Sequence, residues 1–306
     1  MSLTSGLVLG FGESLAQAKG LAEAAGLDFA EVGVHRFPDG ESLVRVPQHL
    51  PEDLILYRSL DHPNDKLVEL MFAATAARER GARRLILVAP YLCYMRQDTA
   101  FHPGEAVSQR IVGGLLAGWF DGLVTIDPHL HRVARLKDAV PAKTAVLLTA
   151  APMMGDFLGS EVPEALLVGP DEESLQWVSR VAAAHRLDYL IGSKERLGDR
   201  SVRIHFDGAG CRGRHAVLVD DVVSTGRTLE VATMELVKYR PASISVLVTH
   251  ALFVDGSDQR LMAVGVDHIW STDSIPHASN RLSLAQLLAD ALPDCLNGMQ
   301  SVVLGL

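Results

Sequence analysis

The chain of 306 residues is 48% hydrophobic and 21% charged, with a formal net charge of -9. This is globular rather than disordered composition, and the length allows two domains, each with its own core. The acidic balance excludes a sequence-independent electrostatic grip on nucleic acid, so any phosphate must be met by local donors and metal ions. Cys93, Cys211 and Cys295 stand far apart and never in a C-x-x-C arrangement. That speaks against a disulfide framework or a zinc knuckle and suits a reducing compartment. No basic residue precedes the short apolar run of MSLTSGLVLGFGES, which therefore does not read as a signal peptide. The uncharged stretch at 144–155 is too short to cross a bilayer. A soluble, cytoplasmic protein is expected.

In chain order, short apolar runs predict strands at 6–10, 54–57, 85–89, 123–126, 166–168, 216–219 and 244–248. Apolar residues at helical spacing predict a helix over 67–80, with Leu67, Leu70, Met71 and Ala74 on one face, and others over 107–119, 175–185 and 229–239. Strands that alternate with helices and are apolar throughout imply an α/β fold whose parallel sheets are covered on both faces. The alternation runs through both halves. LILVAP at 85–90 is answered by AVLVDD at 216–221, and LVTID at 123–127 by VLVTH at 246–250. Two similar domains are expected, at 1–145 and 146–306, with Pro141 and Pro152 near the boundary. Residues 301–306 read as a final strand that either domain could claim.

The segment VLVDDVVSTGRTL at 217–229 is the most informative. An apolar strand runs into Asp220 and Asp221, then into a short loop, Ser224-Thr225-Gly226-Arg227-Thr228, before the helix. Open α/β sheets bind ligands at the carboxyl ends of their strands. Gly226 permits positive φ, three hydroxyls are donors, and a helix start offers unpaired N–H groups; together these suit a phosphate monoester. The carboxylates would then accept hydrogen bonds from the vicinal hydroxyls of a sugar. A ribose 5-phosphate site is expected, against the plainer alternative of a capped helix behind solvated carboxylates. There is no G-x-x-x-x-G-K-[ST], so ATP would be held without a P-loop.

This segment resembles the phosphoribosyl pyrophosphate-binding motif shared by type I phosphoribosyltransferases and ribose-phosphate pyrophosphokinases. RFPDGE at 36–41, PYLCYMRQD at 90–98 and IDPH at 126–129 resemble motifs of the second family. With THALF at 249–253 and STDSI at 271–275, order and spacing hold along nearly the whole chain. The resemblance implies two phosphoribosyltransferase-like domains with parallel sheets flanked by helices, the first serving ATP and the second ribose 5-phosphate. It implies Mg²⁺-dependent transfer of the diphosphoryl group of ATP to the anomeric hydroxyl, and a homodimer or higher homo-oligomer. Phe37 would stack on adenine, with Asp39 and Glu41 accepting from its amine, while Arg96 and Gln97 would hold the nucleotide. His129 and Asp171 would serve the metal. Lys194 and Arg196 would be catalytic cations on a loop, countering charge that builds on the transferred group. Asp171, Asp220, Asp221, Ser224, Thr225, Gly226, Arg227 and Thr228 would hold ribose 5-phosphate.

The sequence also departs from the family pattern. Glu172 and Glu173 follow Asp171 where a glycine is usual, Ser224 replaces a common Asp, and Arg227 stands where a small residue is usual. Its guanidinium would either grip the phosphate or obstruct the loop. TAFHPGEAVSQR, after Asp98, resembles the archaeal-type members, which implies weak control by ADP and no phosphate requirement. Two other functions stay open: a catalytically silent, nucleotide-binding regulatory homologue, and a phosphoribosyltransferase.

Overall fold

A computed structural model describes residues 6–130, 132–133, 135–198, 201–206, 210–296 and 303–304, with backbone alone for 194–198, 201–202 and 303–304. The chain divides into two compact units, one of Met1–Thr149 with Ser283–Leu306, the other of Ala150–Leu282. Among the described residues no helix is long and apolar enough to cross a membrane.

The first unit alternates β1 (Leu7–Phe11), α1 (Leu15–Ala25), β2 (Asp28–Arg36), β3 (Ser42–Arg45), β4 (Asp53–Tyr57), α2 (Pro63–Glu79), β5 (Arg84–Val88), α3 (Ser108–Trp119), β6 (Gly122–Ile126), α4 (Leu136–Ala139) and β7 (Thr144–Leu148). The second continues with α5 (Ala151–Glu161), β8 (Leu166–Gly169), α6 (Leu175–Ala183), β9 (Tyr189–Ile191), the hairpin β10 (Ser193–Gly198) and β11 (Ser201–His205), β12 (His215–Val223), α7 (Arg227–Val237), β13 (Ser243–Ala251), α8 (Ser257–Ala263), β14 (His268–Thr272) and β15 (Asn280–Leu282). The chain then returns to the first unit with α9 (Ala285–Leu296) and β16 (Val303–Leu304).

The strands of the first unit lie in the order β16-β7-β6-β5-β4-β1-β2-β3, parallel except for the edge pair β2–β3. Those of the second lie in the order β15-β14-β13-β12-β8-β9, all parallel. β1 and β6 are buried at every position, as are Val217, Leu218 and Val219 of β12, which explains why their sequences are apolar rather than alternating. The even division at residue 145 would give α9 to the second unit, yet α9 packs on α1, β5, β6 and β7. It lies so close that a Cβ at Gly122 would stand 2.6 Å from Cys295 Sγ. β16 extends the same sheet beside β7.

Strand order aligns the two units element by element, β2-β1-β4-β5-β6-β7 with β9-β8-β12-β13-β14-β15. The internal match suggested by sequence is thereby shifted by one strand. β12 corresponds to β4, not to the LILVAP strand β5, which corresponds to β13. Runs of Val and Leu look alike at every buried parallel strand, so local similarity does not fix which strands are equivalent.

Candidate active site

In the second unit, Asp220 and Asp221 lie within β12, which continues to Val223, rather than beyond its end. Asp220 pairs in register with Val248 of β13. Asp221 is buried, and each carboxylate accepts from the backbone N–H one residue on, Asp220 Oδ1 from Asp221 at 3.0 Å and Asp221 Oδ1 from Val222 at 2.8 Å. Burial pushes the Asp220 carboxyl well above the usual range, and the negative charges of Asp221 and Asp171 push it the same way. Asp171, at the end of β8, caps the short turn 172–174 by accepting from Ser174 N at 3.3 Å. Glu172 and Glu173 are exposed on that turn.

The loop after β12 turns at Gly226, whose φ of 71° is a left-handed conformation that favours glycine. A Cβ there would also meet Ser257 Cβ at 3.0 Å. The loop is held from behind by α8 and the residues before it. Ser257 Oγ donates to Ser224 O at 2.8 Å, Arg260 Nη2 donates to Thr225 O at 2.8 Å, and Arg260 Nη1 donates to Asp255 O at 2.5 Å. Glu230 on α7 gathers Arg260 at 2.8 Å and Arg227 at 3.3 Å. Arg227 therefore lies along its own helix, 63% exposed, rather than across the loop. With these carbonyls tied backward, a glycine turn leads into the start of α7 at the point where strand order reverses between β8 and β12, the place where open α/β sheets carry ligands.

Lys194 and Arg196 lie on β10, paired with Ile204 and Val202 of β11. Their side chains lie outside the described residues.

In the first unit, Phe37, Asp39 and Glu41 occupy the turn of the β2–β3 hairpin. Phe37 N donates to Glu41 O at 2.8 Å, Glu41 N donates to Asp39 Oδ1 at 3.2 Å, and Gly40 takes φ 93°. Phe37 is 41% exposed, its ring set edge-on against His35 with centroids 4.8 Å apart. Arg96 is exposed on the loop after β5. That loop is fixed through Gln97, whose Oε1 accepts from Ser108 and whose carbonyl accepts from Gln109 N at 3.2 Å. His129 follows β6 on a segment clasped by Asp98, which accepts from Arg132 N at 3.2 Å and Arg132 Nη1 at 2.7 Å.

These first-unit residues do not all converge. The hairpin turn rises from β2, three strand positions from β5 and hence on the order of 14 Å along the sheet from the base of the Arg96 loop. Among the described residues no set of three or more His, Cys, Asp or Glu is arranged to hold a metal ion. Sequence reasoning passed over Glu69, Arg58, Asp98, Glu230, Ser257 and Arg260. All are remote in sequence from what they hold or lie inside ordinary helical patterns. Only Asp98, inside the RQD segment, carried a signal.

Residues 8–118 match the model of the N-terminal domain of ribose phosphate pyrophosphokinase, and residues 159–280 match that of the phosphoribosyl transferase domain. The ribose-phosphate pyrophosphokinase of Methanopyrus kandleri is 35% identical over 94% of this chain and 98% of its own length. That of Thermococcus kodakarensis is 32% identical over 85% and 91%. In fold, the chain is similar to the crystal structure of phosphoribosylpyrophosphate synthetase from Mycobacterium smegmatis, with a TM-score of 0.82, 22% identity, and coverage of 96% of this chain and 99% of that one.

Proposed function

The chain belongs to the ribose-phosphate pyrophosphokinase family and is an enzyme of that class, and we propose that it transfers the diphosphoryl group of ATP to the anomeric hydroxyl of ribose 5-phosphate, releasing AMP. The observation that carries the sugar side is the phosphate loop: Gly226 in a left-handed conformation, Ser224 and Thr225 carbonyls tied back by Ser257 and Arg260, and Asp220 and Asp221 just ahead. Ser224, Thr225, Gly226 and Thr228 take the 5-phosphate through hydroxyl and N–H donors. Asp220 and Asp221 accept from the ring hydroxyls.

Burial first, and then the charges of Asp221 and Asp171, raise the Asp220 carboxyl, and a cation bound beside these carboxylates would offset that charge. Mg²⁺ typically takes one or two carboxylates together with substrate phosphate oxygens and water. Asp171 is the residue assigned to it in the second unit, and His129 of the first unit is assigned to Mg²⁺ or to the nucleotide phosphates. When bound, Mg²⁺ supplies positive charge against the phosphoryl oxygens. Lys194 and Arg196 are assigned the same electrostatic task from the β10–β11 hairpin.

On the nucleotide side, Phe37 stacks on adenine, Asp39 and Glu41 accept from its amine, and Arg96 and Gln97 hold the phosphates. Within one chain the hairpin turn and the Arg96 loop rise from strands three positions apart. A homodimer in which the turn of one copy serves the nucleotide of the other resolves that separation. Exposed Leu43 on β3, Val68 and Phe72 on α2, and Ile111 and Leu115 on α3 give the unit apolar surface for such an association. Three free, buried cysteines suit the cytoplasm as its compartment.

The test is AMP release from ATP, ribose 5-phosphate and Mg²⁺. Release that requires all three supports the assignment, and Lys194→Ala should lose turnover far more than affinity. No release, or turnover only when a nucleobase and phosphoribosyl pyrophosphate are supplied, overturns it. Repeating the assay without inorganic phosphate should leave the rate unchanged.

A further inference from the structure

Glu69 is fully buried on α2, far from any residue assigned to a substrate in sequence. Its Oε1 accepts from Arg36 Nε at 3.1 Å and from Ser42 Oγ at 3.0 Å, while Oε2 accepts from Arg58 Nη2 at 2.5 Å. Arg36 and Ser42 are cross-strand partners, the last rung of the β2–β3 hairpin before the turn that carries Phe37, Asp39 and Glu41. One carboxylate oxygen therefore clips both strands at the root of the turn. The other ties that root to Arg58, which is itself immobilised. Arg58 Nε donates to Glu13 at 2.6 Å, Nη1 donates to Lys66 O at 3.2 Å, and its guanidinium lies 4.0 Å from the centroid of the Phe11 ring. Lys66 completes the lattice with 2.9 Å and 2.7 Å contacts to Ser59 O and Asp61.

A hairpin turn at the edge of a sheet has few contacts of its own, and the turn 37–41 is exposed. Its position is set where its strands are pinned. We infer that Glu69 is the positioning residue of the adenine-reading turn, and that through Arg36 and Ser42 it sets the preference for adenine over guanine nucleotides. The inference rests on the assignment of Phe37, Asp39 and Glu41 to the base. Adenine presents an amine donor where guanine presents a carbonyl, so carboxylates held at the right distance favour the first and repel the second. A clip displaced by about 1 Å forfeits that discrimination, because recognition by charged acceptors depends steeply on geometry.

Glu69→Gln keeps the size of the side chain but turns an amide N–H toward donors that need an acceptor. In the full-length protein it should raise KM for ATP about tenfold, leave KM for ribose 5-phosphate within about twofold, and lower the ATP-to-GTP ratio of kcat/KM by about tenfold. Ser42→Ala, which removes one half-buried hydroxyl, should shift the same two quantities by about threefold in the same direction. It decides the matter if Glu69→Gln fails to fold. Equal rises in both KM values, or an unchanged ATP-to-GTP ratio in a folded variant, overturn the inference. Phe37→Ala separates it from its premise. If Phe37→Ala raises KM for ATP while the variants at 69 and 42 do not, the positioning role alone fails. If Phe37→Ala leaves KM for ATP unchanged, the adenine assignment falls and the inference with it.

Discussion

The two units share a strand order, so the segment after β4 in the first and the segment after β12 in the second occupy equivalent places in the fold. They are filled in opposite ways. After β4 the place is taken by side chains of the protein itself: Arg58, 1% exposed, with Glu69, Glu13 and Lys66 in one ion-paired lattice. Burial would push Glu13 up, but the hydrogen bond and charge of Arg58, helped by Lys66, hold it below the ordinary carboxylate range. In β12, just ahead of the equivalent segment, stand adjacent carboxylates, and there Asp220 is driven up rather than down. A buried charge that finds its partner within the chain stabilises a scaffold; one set beside like charges is held ready for something the chain does not contain. On the assignments proposed above, the second unit keeps a ligand crevice at this place, whereas the first holds a brace for the turn 37–41.

The largest expected effect comes from removing that asymmetry at Asp220. Its pKa is raised in the folded protein, so the folded state holds its proton to higher pH than the unfolded chain does. Stability from this group is fully present below the unfolded value and is lost as pH rises through the folded one. Asp220→Asn abolishes the penalty. Its thermal midpoint should exceed that of the parent at pH 7, and the difference should shrink as pH falls toward 4. The same change should cut kcat/KM for ribose 5-phosphate about 100-fold, through the loss of a charge-assisted hydrogen bond. A variant that is both less stable and equally active would show that Asp220 belongs to the scaffold, as Arg58 does.

How much of this was legible in the sequence follows from the same contrast. The loop proposed to take the phosphate could be picked out because its chemistry is contiguous: apolar strand, twin carboxylates, hydroxyls and glycine lie within thirteen residues, 217–229. Most of the buried parallel strands were readable for the same reason, although β7, TAVLL at 144–148, was passed over. β2 was not readable, since this strand next to the sheet edge, of sequence DFAEVGVHR, is exposed along much of its length and carries no continuous apolar run. Nor was the brace. Arg58 and Glu69 are 11 residues apart, and Glu69 reaches Arg36 across 33. A glutamate in LVELM reads as an ordinary polar position on a helix until the fold brings the arginines to it. The match of LILVAP with AVLVDD misled because hydrophobic strands carry little positional information. Strand order does.

Of intermediate size is the effect of Arg260, which has no counterpart in the substrate assignments. It ties Thr225 O and Asp255 O to Glu230 with one guanidinium. Arg260→Ala frees the back of the phosphate loop, so KM for ribose 5-phosphate should rise about tenfold while KM for ATP stays within about twofold. Paired with Glu69→Gln, it forms a crossed test: each brace should affect the substrate of its own loop and spare the other. Braces that weaken both substrates equally would erase the distinction between the units.

The smallest effect is expected at Arg227, the residue whose bulk in a phosphate loop invites two opposite expectations. An arginine that gripped the 5-phosphate would be costly to remove. One that blocked the loop would leave a faster enzyme when truncated. The structure supports neither extreme, because the side chain is 63% exposed and pairs with Glu230 three residues on, at 3.3 Å. Although Glu230 itself is buried, a pair whose cation stands in solvent contributes on the order of 0.5 kcal/mol. Glu230 keeps its 2.8 Å contact to Arg260 when Arg227 is gone. Arg227→Ala should therefore change KM for ribose 5-phosphate by about threefold or less and the thermal midpoint by about 1 °C. A tenfold rise in that KM, measured by the initial rate of AMP release, would show that ligand binding draws the guanidinium away from Glu230 and onto the phosphate. The second unit would then recruit a charge the resting loop stores elsewhere, whereas every cation in the brace of the first unit is already committed.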